Sequence, residues 1–395
     1  MLLPASLFKF QPVVRTLACE CVHTLNDAKR LAKTVLFLWQ KSAYPELALR
    51  APYGSSQFID LERVKNFVRW LDSQPFNDAA YWLASAYANW VGNEVRTQQA
   101  LYFTPPKLAD RVIDDLISNG ASLATHHWHD PACGGAAFLV PIAQRMALEL
   151  TTKGMPAVKV LKHIETHISG NDLDDTLLEI SEQFLLMALQ DVAKKNHYTL
   201  CFKLAKGDGL MAVHDPQSAP DVVACNPPYR KLNAVETKKY QGQFDDVIRN
   251  QPNIYGLFIR KTIDIVKPGG LVGLLTPTSF LSGASFSKLR QVIAGKTQIE
   301  QIDVLGDRNT TFISVEQQTV ITVLKTDIRP YRASRADVFV LSADGMFTEI
   351  GKCVIPPMGS LGQFRELQKT LPCSHARNNG QTDSLTTGMC LGWGT

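Results

Sequence analysis

Four short stretches carry residue types suited to chemistry, and they follow one another in a set order. In HDPACGGAAFL (His129–Leu139) a carboxylate, Asp130, precedes a glycine pair and an apolar helix start. This describes a strand-to-helix turn where backbone approaches a ligand closely, because glycine puts no side chain in the way. A purely structural tight turn would read the same. In SGNDLDD (Ser169–Asp175) an acid closes the next apolar run, and Asp172 is placed to accept hydrogen bonds from ribose hydroxyls. Asp174 and Asp175 read as helix-capping and solvated residues, a role equally open to Asp172. In KGDGL (Lys206–Leu210) Asp208 lies between glycines, either as a turn residue or as the acceptor for an exocyclic amine.

The fourth stretch, CNPPY (Cys225–Tyr229), follows the apolar run DVVA and is the most specific. Two successive prolines lack N–H groups and fix φ, so the carbonyls before them are held rigid and free of a local helix. Asn226 adds a side-chain acceptor beside them. A pair of acceptors of this kind suits a planar –NH2 group, with the flat face of Tyr229 beneath the ring that bears it. Cys225 invites a reading as covalent nucleophile, but an amine target needs no covalent adduct, and it reads as structural. His126, His127 and His129 beside Asp130, and Cys19 and Cys21 near His23, lack the paired spacing of a metal site, so no metal is expected.

These stretches need elements to position them. Between about Thr104 and Leu324, short apolar runs (AAFLVPIA, VKVLKHIETHISGND, DVVACNPPY, GGLVGLLTP, QTVITVLK) alternate with amphipathic helices. That alternation implies crossover units and a largely parallel sheet, with ligands bound outside the carboxyl ends of the strands. Residues 1–100 read as helical. FIDLERVKNFVRWLDSQ spaces Phe58, Leu61, Val64, Phe67, Val68 and Leu71 along one helix face, and Asn77–Asp78 can cap a second helix. The aromatics of that second helix, Tyr81, Trp82, Tyr87 and Trp90, read as core rather than as a base-stacking platform. DVFVLSADGMFTEIGKCVI offers two strands around a turn at Asp344–Gly345, and the last twenty or so residues are expected to be disordered.

With 395 residues, 45% hydrophobic and 20% charged, the chain cannot be disordered throughout, and two or three domains are expected at roughly 100–200 residues each. The net charge of +4 permits a nucleic-acid partner without demanding one. The 8 scattered cysteines do not form a disulfide framework. TVLFLW (Thr34–Trp39) is far shorter than the roughly 20 residues a bilayer requires, and the first residues lack a signal-peptide pattern. A cytoplasmic protein with no membrane partner is expected.

The order YFTPP, DPACG, GND, GDG and NPPY resembles the amino-type DNA methyltransferases that use S-adenosylmethionine, in the N6-adenine gamma arrangement. It is most like the TaqI-type modification methylases, over about Tyr102 to Leu324. NPPY also occurs in protein-glutamine and some RNA methyltransferases; DPACG with the upstream FTPP points to DNA. The resemblance implies an α/β class: a doubly wound, mostly parallel, Rossmann-like sheet of the class I methyltransferase kind. It would comprise an N-terminal helical segment (1–100), a methyltransferase domain (101–326), and a short β-containing target-recognition segment with a disordered tail (327–395).

Residue by residue, the resemblance implies that Thr104 helps hold the methionine end of S-adenosylmethionine, while Asp130, Ala132 and Gly134 line its pocket. Asp172 would bind the ribose, Asp208 the adenine amine, and Phe258 would stack on the cofactor's adenine. Asn226 and the Pro227 carbonyl would take the target amine, beside Pro228, with Tyr229 and Phe312 sandwiching the flipped base. One departure stands out: Ala136 replaces a glycine of the family pattern, and its methyl would either crowd the cofactor or, being small, still fit. Expected partners are double-stranded DNA and a cognate restriction endonuclease. The polar loop with Lys231, Lys238 and Lys239 reads either as solvated or as a set of phosphate contacts. Two alternatives remain: a protein-glutamine or RNA methyltransferase, and a cofactor- or DNA-binding remnant. The short stretch after Leu324 motivates the latter, with weak or unspecific DNA binding expected for this chain alone.

Overall fold

Up to Gln99 the described chain is helical: α1 (Leu7–Cys21), α2 (Leu25–Ala43), α3 (Ser56–Ile59), α4 (Glu62–Asp72), α5 (Phe76–Trp90) and α6 (Gly92–Gln99). The computed structural model describes residues 7–355, apart from 46, 48–53, 55, 214, 249–251, 306–317, 327–333 and 342–344. Phe312, Asp344 and the tail expected to be disordered therefore lie outside the described residues.

A reciprocal cap between Thr24 and Asp27 starts α2 and satisfies two amide donors that the helix itself cannot. Val64, Phe67, Val68 and Leu71 form the buried stripe of α4. Leu61 does not join them: the chain turns between α3 and α4, which leaves it at the helix N-cap and exposed. Asn77 and Asp78 sit inside the first turn of α5, which Pro75 precedes, because the proline's φ already directs the chain into the helix. Tyr81, Trp82, Tyr87 and Trp90 are all buried, packed with Phe10, Phe67 and their neighbours as core.

The sheet begins after α7 (Pro106–Ser118). Its strands are β1 (Trp128–Asp130), β2 (Ile168–Asp172), β3 (Lys203–Lys206), β4 (Val222–Cys225), β5 (Leu271–Pro277), β6 (Thr297–Leu305), β7 (Thr319–Thr326), β8 (Ser334–Leu341) and β9 (Phe347–Ile355). They run in the order β3-β2-β1-β4-β5-β7-β6-β8-β9. The five strands from β3 to β5 are parallel to one another, whereas β7 is antiparallel to both its neighbours. Between them come α8 (Leu139–Thr152), α9 (Ala157–His167), α10 (Asp175–Lys195), α11 (Ala234–Tyr240), α12 (Ile254–Ile265), α13 (Ser279–Ser282) and α14 (Ser287–Lys296). Two of the apolar runs divide differently from a strand reading. AAFLVPIA leads into α8, and VKVLKHIETH is helix α9, leaving only ISGND as strand.

The alternation of β4 shows how one strand serves two cores. Val222 and Ala224 pack on the side of α5, α7 and α8; Val223 and Cys225 pack on the side of α12 and α14. Successive side chains of a strand point to opposite faces, so a strand covered by helices on both sides must be apolar throughout.

The hairpin β8–β9 lengthens this same sheet, since β8 pairs with β6 in parallel. Arg111 of α7 fastens it. Its guanidinium lies 4.9 Å from the Phe339 ring centre and 4.5 Å from that of Phe347, with Nε on Asp303 (2.6 Å) and Asp115 (3.0 Å).

Candidate active site

The order of the parallel strands reverses between β1 and β4, which opens a crevice beyond their carboxyl ends. Each of the four stretches singled out from sequence leaves the sheet there. Asp130 ends β1, Asp172 ends β2, Asp208 follows β3 and Asn226 follows β4. A cavity of about 330 Å³ occupies the crevice, and Thr104, Asp130, Ala132, Gly134, Asp172, Asp208, Asn226, Pro228 and Phe258 all line it.

Local chemistry explains how these loops pack so closely. Gly134 adopts φ +50°, and its amide donates to Asp172 Oδ2 at 2.8 Å, which ties the glycine turn after β1 to the acid at the end of β2. Asp172 Oδ1 accepts from the Asp174 amide at 2.9 Å, and the carboxylate keeps acceptor capacity for a ligand. A Cβ on Gly209 would stand 2.0 Å from the Pro131 carbonyl oxygen, so the second glycine of KGDGL is required by backbone meeting backbone.

Ala136 occupies the left-handed region at φ +57° and is fully buried. It is not a lining residue of the main cavity. It lines a small separate hollow with Ala80, Tyr81 and Ala84 of α5. The left-handed backbone is itself a cost, because an L side chain is disfavoured there.

Asn226 is held at both ends of its amide. Nδ2 donates to Thr104 Oγ1 at 3.0 Å, and the Tyr229 hydroxyl contacts Oδ1. That hydroxyl also lies 2.7 Å from the Leu275 carbonyl oxygen of β5, and the ring stands edge-on to Tyr255, with centres 6.2 Å apart. Pro227 and Tyr229 are not among the residues lining the cavity; they flank Asn226 and Pro228, which are.

Burial sets the electrostatics. Asp130 is pushed up to about 8, by desolvation first, with the charge of Asp172 adding to it. Asp172 is pushed up to about 6, again chiefly by burial. The Cys225 thiol is raised well above its ordinary value by burial and by Asp130, which keeps it protonated and unsuited to nucleophilic attack. Asp208 Oδ2 accepts from Lys239 (2.6 Å) and from the Tyr240 hydroxyl (2.8 Å), so α11 is pinned to the edge of the site. His127 and His129 both bond to Ser169 Oγ at 2.8 Å. Among the described residues no group of three or more His, Cys, Asp or Glu is arranged to hold a metal ion.

Several lining residues were not singled out from sequence. Lys29 arrives from α2, Gln98 and Gln99 from α6, and Tyr102 and Phe103 from the segment that leads to α7. Phe103 lies over the glycine turn, 3.3 Å from where a Gly134 Cβ would be. The one sequence signal for these was the YFTPP segment; nothing in a helical lysine announces that it faces a cavity.

Comparison with known proteins bears on what such a site does. Residues 166–312 match the family described as Eco57I restriction-modification methylase. The chain is 29% identical over 102 residues to the type II methyltransferase M.BsuBI of Bacillus subtilis, covering 25% of this chain and 20% of that one. It is 22% identical over 233 residues to M.BstVI of Geobacillus stearothermophilus, covering 57% and 41%. The chain therefore spans less than half the length of these curated relatives. Among solved structures, a candidate class I S-adenosylmethionine-dependent methyltransferase of Listeria monocytogenes superposes with TM-score 0.54 at 19% identity, covering 84% of this chain and 92% of that one. A nuclease-deletion mutant of the type ISP restriction–modification enzyme LlaGI, solved with a DNA substrate mimic, gives TM-score 0.58 at 13% identity, covering 92% and 35%. The fold is that of the class I S-adenosylmethionine-dependent methyltransferases. No helix among the described residues is long and apolar enough to cross a membrane.

Proposed function

Taking that fold as the premise, we propose that the protein methylates the N6 amine of adenine in a specific DNA sequence, using S-adenosylmethionine, as the modification component of a restriction–modification system. One observation carries the reading. Asn226 and Pro228 of the NPPY turn line the same cavity as Asp130, Asp172 and Asp208, so an amine acceptor stands beside three carboxylates that end or follow neighbouring strands. The likeness of residues 166–312 to restriction–modification methylases supports the same conclusion.

The residues fit the cofactor by their donor and acceptor sets. Asp172 takes the ribose hydroxyls, Asp208 the adenine amine, and Phe258, buried on α12, packs against the adenine ring. When bound, S-adenosylmethionine supplies an electrophilic sulfonium methyl group. Asn226 Oδ1 and the Pro227 carbonyl accept the two N–H bonds of the target amine, favour a pyramidal nitrogen and stabilise the positive charge that develops on it. The Tyr229 hydroxyl, which has Leu275 as a second partner, gives up Asn226 Oδ1 to the incoming amine without losing a hydrogen bond of its own. Holding both reactants in place is worth roughly 7–11 kcal/mol in well-oriented intramolecular systems. An adenine stacked in duplex DNA cannot reach this cavity. The base must be flipped out, at a cost of about a few kcal/mol, to bring its amine to Asn226.

Mass analysis of nucleosides from DNA treated with the protein and S-adenosylmethionine is the test. N6-methyladenine should appear with the wild type and be absent with Asn226→Ala, which should still bind cofactor. Label transferred to RNA or protein in place of DNA, or full activity in Asn226→Ala, would overturn the proposal.

A further inference from the structure

Lys29 belongs to α2, 146 positions before Asp175, yet it lines the same cavity as Asp172, Asp174 and Asp175. Its ammonium donates to Asp175 Oδ1 at 2.9 Å and lies 4.0 Å from Asp174 Oδ1. Ion pairing is a poor reason for this placement. Asp175 is 55% exposed and has a second cation in Lys206, and solvated pairs of that kind contribute little. Asp174 is already satisfied without Lys29. Its Oδ1 caps α10 through the Thr176 and Leu177 amides, and its Oδ2 takes the Tyr87 hydroxyl at 2.7 Å.

A lysine one turn further along α2 provides the contrast. Lys33 pairs with Glu179 of α10, so it also fastens the N-terminal helices to the sheet domain, but it does not line the cavity. An ammonium carries three N–H donors, and Asp175 uses one of those on Lys29. A ribose diol offers hydroxyl hydrogens to an acceptor and oxygen lone pairs to a donor. Asp172 can serve the hydrogens. Two lysines paired with Asp175 line the cavity, Lys29 and Lys206; Lys29 is the less exposed of the two (29% against 63%) and the closer to Asp175 (2.9 Å against 3.5 Å), which makes it the better-held donor for the oxygens.

We propose that Lys29 is a cofactor-binding residue that donates to the ribose oxygens of S-adenosylmethionine opposite Asp172, which makes the N-terminal helices a wall of the cofactor site. This rests on the cofactor reading above. Gln98 and Gln99 of α6 belong to the same wall.

The test is calorimetric titration of the full chain with S-adenosylhomocysteine, comparing wild type, Lys29→Met, Lys29→Arg and Lys33→Met. Loss of a charge-assisted hydrogen bond at a partly solvated position predicts roughly tenfold weaker binding for Lys29→Met. Lys29→Arg keeps a donor and should stay within about threefold of wild type, and Lys33→Met within about twofold. Thermal midpoints of Lys29→Met and Lys33→Met should be alike, since both lose one inter-helix pair. With the 2′,3′-dideoxy analogue of the same ligand, the difference between wild type and Lys29→Met should vanish. Equal affinities for Lys29→Met and Lys33→Met, with wild type binding normally, overturn the proposal alone. No binding by wild type overturns the cofactor reading and this proposal together.

Discussion

The Asn226 amide nitrogen donates to the Thr104 hydroxyl oxygen at 3.0 Å, joining the turn after β4 to the segment that enters α7 across 122 positions of sequence. Thr104 is buried, and the bond limits how the amide can rotate. Thr104→Val removes it and leaves the amide free to misorient. Turnover in the methylation assay should fall about tenfold, the usual consequence of losing one buried hydrogen bond, and Thr104→Ser should restore it.

Ala136 holds a left-handed backbone without glycine's freedom. That conformation costs an L residue roughly 1–2 kcal/mol, of which glycine's larger unfolded-state entropy returns about 0.4–1 kcal/mol. The buried methyl contributes about 0.8 kcal/mol in the other direction, so Ala136→Gly should shift stability by less than about 1 kcal/mol in chemical denaturation. Affinity for S-adenosylhomocysteine should not change, because Ala136 does not line the main cavity.

Arg111 bonds two acids, Asp303 and Asp115, and packs between two rings of the β8–β9 hairpin. Asp303 is fully buried, and burial together with the Asp303 charge raises Asp115 to about 8 even with Arg111 present. Arg111→Ala strands both acids, and breaking a buried pair in this way costs about 3–5 kcal/mol. The denaturation midpoint should drop accordingly, and limited proteolysis should cut first within the hairpin, which loses its anchor.

Asp130 and Asp172 give the site a pH signature. Both have folded values above the ordinary carboxylate value of 3.8, at about 8 and about 6. For a group raised on folding, the stabilising contribution is complete below the unfolded value and is lost as pH rises through the folded one. Stability of the free protein should therefore decline towards pH 8, and Asp130→Asn should flatten that decline. Cofactor binding has the opposite sense, because a ribose hydroxyl needs an ionised Asp172. Affinity should weaken as pH falls below about 6, and Asp172→Asn, weaker throughout, should lose that dependence.

The residues at the strand ends were legible in the sequence because their signals are local. A glycine pair, an acid after an apolar run and two prolines after a strand each restrict a few neighbouring backbone angles, whatever the rest of the chain does. The succession of apolar runs likewise determined a sheet covered on both faces, since a strand such as β4 must supply two cores. Element boundaries were less legible. VKVLKHIETH could not be told from a strand by its apolar content, and it forms α9.

What only the tertiary structure decided are contacts between segments far apart in the chain. Lys29 on the cavity wall, Thr104 on the Asn226 amide, Arg111 between Phe339 and Phe347, and Ala136 in a hollow it shares with α5 all depend on how helices dock against the sheet. A docking angle is set by the sum of many weak packing contacts, and no single residue spacing encodes it.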